Sequence, residues 1–489
     1  MTEEISEQRQ SRLNKLAKLE EMGYNPYPYR FVPTHFAKPL QEKYKELADG
    51  ENTEDFVTVA GRAMAVRNSG MFIDLKDKTG NIQVFCHKAN MDEDNLKLLK
   101  CLDIGDLVGV TGFIRRTPRG ELTIAASKFD IIGKSLEPLP EKFHGLTDVE
   151  TRYRKRYVDL IINDEARNIL LTRCKIVSAV REFFNSQEFL EVETPTFHPI
   201  MGGANAKPFV THYNALDNDF YLRVATELYL KKLVVGGIDR VFEIGKNYRN
   251  EGIDKNHVPE FTGLEAYMAY ADYNDGADLM FRLVNHVVKK VFGTEKLVLD
   301  GHEIDFSKPF PKVSIIDLIK KETGVDFLTA ETVEEARKLA ASIGVEAEHC
   351  SNWGKVVQEV FDAKVEHTLI QPIHVSDMPK DISPLAKTHR DNPRLVEHFD
   401  TYLLGVELGC CYSELSNPLE QLERFKAQMA ERDGGDDEAQ MLDESFVDAL
   451  SYGFAPTTGM GMGMDRLAKL LTGAATLRDV ILFPTLKKQ

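Results

Sequence analysis

Between Phe56 and about Gly133, apolar and polar residues alternate in five short runs: FVTVAGRAMAV, MFIDLKD, NIQVFCH, DLVGVTGFIRRT and ELTIAASKFDII. Period-two alternation bounded by Gly, Asn, Asp and Pro predicts strands, and the break Asp92–Leu102 between the third and fourth predicts a helix. The periodicity changes further on. Leu170, Cys174, Val177, Val180 and Phe184 recur every three or four residues, the stripe of an amphipathic helix. FLEVETPTF then reads as a strand halted at Pro195, followed by the turn Gly202–Gly203 and a helix around ATELYLKKLVV. Two strands, Val241–Ile244 and about Phe261–Ala266, enclose a long polar segment. Hairpin loops usually take 2–5 residues, so this one is too long for chain reversal alone. Residues 318–371 are helical and charged, hold the lone Trp353, and read as an insertion. The pattern returns to β at HFDTYLLGVELGCCYSEL and ends in TTGMGMGMDRLAKLLTG, a glycine-alternating strand leading into a helix near Asp465.

Five strands with a helix after the third is the layout of an OB-fold barrel, whose strand 2–3 face commonly binds oligonucleotides. Phe72 and Gln83 fall in those strands, with Arg115, Arg116 and Arg119 nearby. The expected organisation is an N-terminal helical extension (1–54), the barrel (55–146), and an α+β domain (147–489) built on an antiparallel sheet flanked by helices. Leu13, Leu16 and Leu19 suggest a short surface helix in the extension. TRYRKRYVDL stays open between contact with an RNA backbone and an internal salt-bridge cluster.

Composition changes this picture little. A chain of 489 residues, 43% hydrophobic and 28% charged, has the profile of an ordinary globular protein. No signal-peptide core or 18-residue apolar run occurs, so a cytoplasmic protein with no membrane partner is expected. The net charge of −16 argues against non-specific coating of DNA or RNA but leaves room for local basic patches. The six cysteines show no CxxC pair and no zinc spacing.

Candidate chemistry gathers in the long hairpin. Arg249, Glu251, His257, Phe261, Glu265 and Tyr267 offer partners for an anion, a planar ring and a cation; the bland alternative is a solvated loop. GMGMGMDR lacks the spacing and βαβ context of a dinucleotide fingerprint. Alternate glycines instead clear one face of a strand for a flat ligand, and Arg466 at the following helix N-terminus adds positive charge. A tight strand–helix junction would give the same pattern.

These segments together resemble the class II lysyl-tRNA synthetases over essentially the whole chain. FLEVETPTF with its preceding helix resembles motif 1, the family's dimer interface. Tyr248–Arg249–Asn250–Glu251 through His257 to Phe261 resembles motif 2, and GMGMGMDR resembles motif 3. TRYRKRYVDL, IMGGANAKPF, ELYLKKLVVGG and YMAYADY narrow the resemblance to the lysine member. The resemblance implies ATP, L-lysine and tRNA(Lys) as substrates, Mg²⁺, and a homodimer. It implies catalytic Arg249 and Arg466, with Glu251, His257, Phe261 and Glu407 completing the ATP site and Asp400 and Glu407 holding the metal. Lysine would be held by Gly203, Glu227, Arg249, Glu265, Tyr267, Cys410, Tyr412, Glu414 and Gly461. The anticodon would be read by Arg67, Phe72, Gln83 and Glu121. This chain departs from the family at Cys410 (usually Asn), at Asp400 (usually Glu), and at Val258 and Thr226, which replace Asn and Pro. Aspartyl- or asparaginyl-tRNA synthetases share the plan, and a non-catalytic tRNA-binding regulator derived from a synthetase would share it as well. A distal carboxylate needs a cation, however, whereas Glu265 and Glu414 are acids.

Overall fold

The computed structural model describes residues 6–140, 146–434 and 440–488. Two compact units divide near Thr147.

In the first unit, five strands close a barrel in the order β1 (Asn52–Arg67), β2 (Phe72–Lys76), β3 (Asn81–Cys86), β5 (Leu122–Gly133), β4 (Leu107–Arg116). The helix Glu93–Leu99 stands between β3 and β4, as the pattern predicts. Alternation assigns the faces: Ile73, Leu75, Ile82 and Val84 fill the interior, while Phe72, Asp74, Gln83 and Phe85 point outward. The N-terminal helix Glu7–Glu21 is not a detached surface element. Leu19 is fully buried and joins Ala37 and Leu40 in the barrel's hydrophobic cluster, and Arg12 donates to the carbonyls of Ser135 and Ile104. Extension and barrel fall within one compact unit. The first five residues of that extension lie outside the described residues.

The second unit is organised on an eight-stranded sheet. Strands 398–403, 406–413, 457–463, 260–269 and 240–248 lie side by side and antiparallel. Parallel pairs close the two edges, Lys312–Ser314 with Ile373–Ser376, and Leu190–Glu191 with Arg240–Tyr248. The strand expected from FLEVETPTF is only those two residues, because the chain leaves the sheet before Pro195, which has no N–H to pair. One face of the sheet carries Phe399, Cys411, Met460, Met462, Leu264 and Ala266. They pack with the apolar stripes of helices Asp164–Ser186 and Tyr273–Phe292 into the largest core. The insertion holds helices Ile315–Thr323, Val333–Ser342 and Trp353–Lys364 around their own core.

TRYRKRYVDL resolves toward its structural reading. Arg156 is 1% exposed, pairs with Asp159 at 3.1 Å and donates to the carbonyls of Arg478, Ile481 and Leu482. Tyr153 donates to Asp479 at 2.9 Å. Arg156 and Tyr153 staple the C-terminal stretch to this unit, whereas Lys155 and Tyr157 of the same segment are exposed.

Candidate active site

The sheet's other face forms the floor of a cavity of about 220 Å³. Antiparallel register sets the floor in rows: Asp400, Cys410, Gly461 and Glu265 lie abreast, and His398, Tyr412, Gly459 and Tyr267 form the next row. The glycines do two different jobs. A side chain at Gly459 would collide with Glu414 and Tyr267, so this glycine makes room for protein groups. At Gly461 a Cβ would meet only ordinary contacts, the nearest being Cys410 Sγ at 3.5 Å, so ligand can approach the backbone there. Gly203 (φ +89°) adopts a left-handed conformation on the cavity wall, with its N–H donated to Gln440.

The closed end concentrates charge. Glu227 is the first residue of the helix Glu227–Val235, where the helix dipole favours an anion. One turn on, the buried Lys231 donates to Glu227 Oε1 at 2.5 Å and lies against Glu414 Oε2. Tyr412 donates to Glu227 Oε2 at 3.3 Å. Glu265 accepts the Thr226 N–H at 3.0 Å and the Tyr267 hydroxyl at 3.1 Å. Burial and the neighbouring Glu227 raise the Glu265 carboxyl to about 7. Burial pushes Glu414 up to about 8 against the pull of Lys231, and its Oε1 has no hydrogen-bond partner among the described residues. Glu227 and Glu414 outweigh burial at Lys231 and hold its ammonium charged. The sequence reading missed Lys231, although its i,i+4 spacing from Glu227 was visible.

The mouth is open. Strands Arg240–Tyr248 and Glu260–Ala269 run further than their apolar residues suggest, leaving 249–259 as the loop. Arg249 begins that loop. Its N–H donates to Pro259, its guanidinium stands 5.2 Å from the Phe261 ring centre, and its buried Nε has no partner among the described residues. Glu251 also lines the cavity. Arg466, in the first turn of the helix Met464–Thr472, donates to the Glu407 carbonyl at 3.1 Å and lies 3.2 Å from its carboxylate. It also stands 3.2 Å from His257 Nε2. Because Arg can only donate, Nε2 accepts and the ring proton sits on Nδ1, toward Asp254 at 2.7 Å.

Asp465, which the sequence reading passed over, holds these parts in register. It accepts the Thr262 N–H at 2.7 Å and pairs with Arg173 at 2.7 Å. One buried carboxylate thereby ties the loop hairpin, the glycine strand's helix and the Asp164–Ser186 helix together.

Gly203, Glu227, Arg249, Glu251, His257, Phe261, Glu265, Tyr267, Glu407, Cys410, Tyr412, Gly461 and Arg466 all line this one cavity. Two expected residues do not. Glu414 lies behind Gly459 and Tyr267, paired with Lys231. Asp400 turns to His398, whose Nε2 is 3.0 Å away, and toward Cys410. Glu407, with a carboxylate 41% exposed at the mouth, suits a hard cation such as Mg²⁺. Asp400, the second acid the resemblance gives to the metal, shares its surroundings with an imidazole and a thiol.

On the barrel, Phe72 stands 5.1 Å from Phe85, and Phe85 stacks on His87 at 5.5 Å. Arg115 covers Phe85 at 5.5 Å. This outward aromatic ladder is longer than the single Phe72 expected from sequence. Gln83 accepts from Thr123 at 3.0 Å, and Arg67 is held by both oxygens of Asp74 at 2.6 and 2.7 Å. Glu121 lies exposed between β4 and β5. Arg116 is structural, donating to the carbonyls of Gly120 and Tyr44.

An OB barrel in one unit, and in the other an antiparallel sheet whose floor joins a long arginine hairpin to a glycine strand, define a class. Residues 148–487 match the family profile described as tRNA synthetases class II (D, K and N), and residues 57–132 match the OB-fold nucleic acid binding domain. The chain belongs to the class II tRNA synthetases. Within that class it is similar to proteins named lysine--tRNA ligase. That of Carboxydothermus hydrogenoformans is 46% identical, covering 99% of both chains. That of Moorella thermoacetica is 47% identical over 97% of each, and that of Bacillus subtilis 44% identical over 100% of this chain and 98% of its own.

Proposed function

We propose that this protein joins L-lysine to tRNA(Lys) at the expense of ATP. The lysine carboxylate attacks the α-phosphate, forming lysyl-adenylate and releasing pyrophosphate. A terminal hydroxyl of the tRNA then attacks the acyl carbon and releases AMP. The carboxylate is already nucleophilic, so the first step needs alignment and charge neutralisation rather than a general base. Arg249, whose planar fork suits two oxyanions, would bridge the carboxylate and α-phosphate, with Phe261 against adenine and Glu251 orienting it. His257 and Arg466 would meet the terminal phosphates. Glu407 would hold Mg²⁺, which would supply further charge neutralisation to the phosphates.

The observation that carries the reading is the charge of the closed end. Three carboxyls (Glu227, Glu265, Glu414) against one ammonium (Lys231) leave two negative charges when all are ionised, matching lysine's two ammonium groups. The distal carboxylate of aspartate would meet repulsion there, and asparagine would leave the acids unmatched. Glu227 and Gly203 would take the α-ammonium, and Tyr267 and Glu265 the ε-ammonium, with Glu414 adding negative charge from behind Gly459 and Tyr267.

The same reading assigns anticodon binding to the barrel face bearing Arg67, Phe72, Gln83 and Glu121, where unstacked bases find an aromatic platform. It also carries pairing of two copies through the Asp164–Ser186 helix, whose Leu171 is 47% exposed, and action in the cytoplasm. Among the described residues no helix is long and apolar enough to cross a membrane. ATP–pyrophosphate exchange across the twenty amino acids tests the proposal. Exchange with lysine alone supports it; exchange with aspartate or asparagine, or with none, contradicts it.

A further inference from the structure

The corner of the cavity beside Glu227 has a wall with no regular structure of its own: residues 201–206 form neither helix nor strand. Among the described residues no backbone–backbone hydrogen bond reaches this turn, so side chains must fix it. They come from far along the chain. Gln440, 237 residues beyond Gly203 and 2% exposed, accepts the Gly203 N–H at 3.2 Å. Its Nε2 donates to Asn205 Oδ1 at 3.4 Å, and Met441 packs against Met201, Ala206 and Val224. Gln440 is held in turn by the buried Gln428 of the helix Pro418–Asp433, whose Oε1 accepts its backbone N–H at 3.4 Å.

The same segment grips the other side of the corner. Asp443 and Ser445 meet the Lys232 ammonium at 3.4 and 2.6 Å, and Phe446 packs with Leu228 and Leu230. Lys232, Leu228 and Leu230 belong to the helix that starts at Glu227. Residues 440–446 therefore clamp the Gly203 turn and the Glu227 helix together, and a Cβ at Gly203 would stand only 3.3 Å from that of Glu227. An ammonium only donates, so Gly203 can serve one through its carbonyl alone. Its N–H belongs to the peptide entering the residue and its carbonyl to the peptide leaving it. With the first tied to Gln440 and φ held at +89°, the second has little freedom left to turn.

We infer that Gln440 is a positioning residue for the α-ammonium of lysine. It lies outside the cavity lining and acts through Gly203, aiming that carbonyl before the ligand arrives. The inference rests on the lysine reading above. A glutamine that merely braced the link between two helices would affect stability without favouring one end of the ligand.

The test is ATP–pyrophosphate exchange with two variants of the full chain. Gln440→Met keeps the volume and loses both side-chain hydrogen bonds, whereas Gln440→Glu keeps an acceptor for Gly203. Gln440→Met should raise the KM for lysine about 10-fold, as a buried N–H left without its partner would, with kcat and the KM for ATP unchanged. Gln440→Glu should restore most of that loss. 6-Aminohexanoic acid, which is lysine without its α-ammonium, should inhibit the wild type and Gln440→Met with the same Ki, because it leaves the disturbed corner empty. Thermal melting checks that both variants are folded. An unchanged lysine KM in Gln440→Met, or a Ki that rises by the same factor as the KM, would overturn the assignment. Absence of lysine-dependent exchange in the wild type would instead remove the lysine reading and this assignment with it.

Discussion

The two ends of the cavity hold charge in opposite ways. At the closed end, Glu227, Glu414 and Lys231 are all within 4% of full burial, and carboxyls are driven above their ordinary range. At the mouth, the Glu407 carboxylate is 41% and the His257 ring 53% exposed, and water can screen both. Ionic interactions gain strength where water is excluded, but an unmatched charge there is costly. The closed end is therefore suited to choosing a ligand by its charge. The mouth is suited to gripping and releasing polyphosphate. Selection and chemistry are divided along one sheet, with Gly461 on the boundary.

The largest expected contrast comes from cutting each end. Glu414→Gln takes one of two carboxylates from the buried Lys231, which keeps Glu227, and weakens the negative charge behind the lysine pocket; breaking a buried ion pair costs about 3–5 kcal/mol. Exchange kinetics should show kcat/KM for lysine falling at least about 10²-fold, mostly through KM. Arg249→Ala should cost about 10²–10³-fold, mostly through kcat, because its charge is needed as the phosphate rearranges. Equal KM effects in both variants would erase the proposed division. A smaller effect belongs to the other unit. Phe72→Ala should raise the KM for tRNA about 10-fold or more, since stacking one base contributes ~1–3 kcal/mol, while lysine-dependent exchange stays unchanged.

Next in size is pH. The Glu265 carboxyl, raised to about 7, is protonated at pH 6 and ionised at pH 8. An ammonium binds the ionised form, so lowering pH adds a proton that lysine must displace. Glu414, raised to about 8, titrates over the same range, so the KM for lysine should rise at least about tenfold from pH 8 to pH 6, and less steeply in Glu265→Gln. The smallest effect is at Cys410. A thiol is a weak hydrogen-bond partner, so Cys410→Asn should lower the KM for lysine by about 2–10-fold, the range of one ordinary hydrogen bond.

Much of this arrangement was legible in the sequence, because alternation sets strand faces and motif spacing brings residues to one sheet. The five barrel strands and the amphipathic 164–186 helix emerge that way. Several of the thirteen expected lining residues, Gly203, Glu227, Cys410 and Tyr412 among them, come instead from the resemblance to the class II lysyl-tRNA synthetases. What was not legible depends on partners distant in the chain. Asp465 acquires its meaning from Thr262 and Arg173, and Lys231 from Glu414. Likewise the basic run at 152–156 stays open between two readings until the carbonyls of 478–482 are seen to absorb Arg156. Phe85 and His87 look like strand and turn residues until register sets Phe85 beside Phe72. Asp400 has a neighbour that the resemblance does not name, His398, two residues away on the same face.

The central claim is that the closed end selects two ammonium groups by charge. Norleucine, which matches the lysine chain without the ε-ammonium, tests it most directly in the ATP–pyrophosphate exchange assay. A site whose buried polar groups are left unmatched should reject it by about 10⁴-fold or more relative to lysine. Discrimination of only about 10–100-fold, as shape alone would give, would contradict the account.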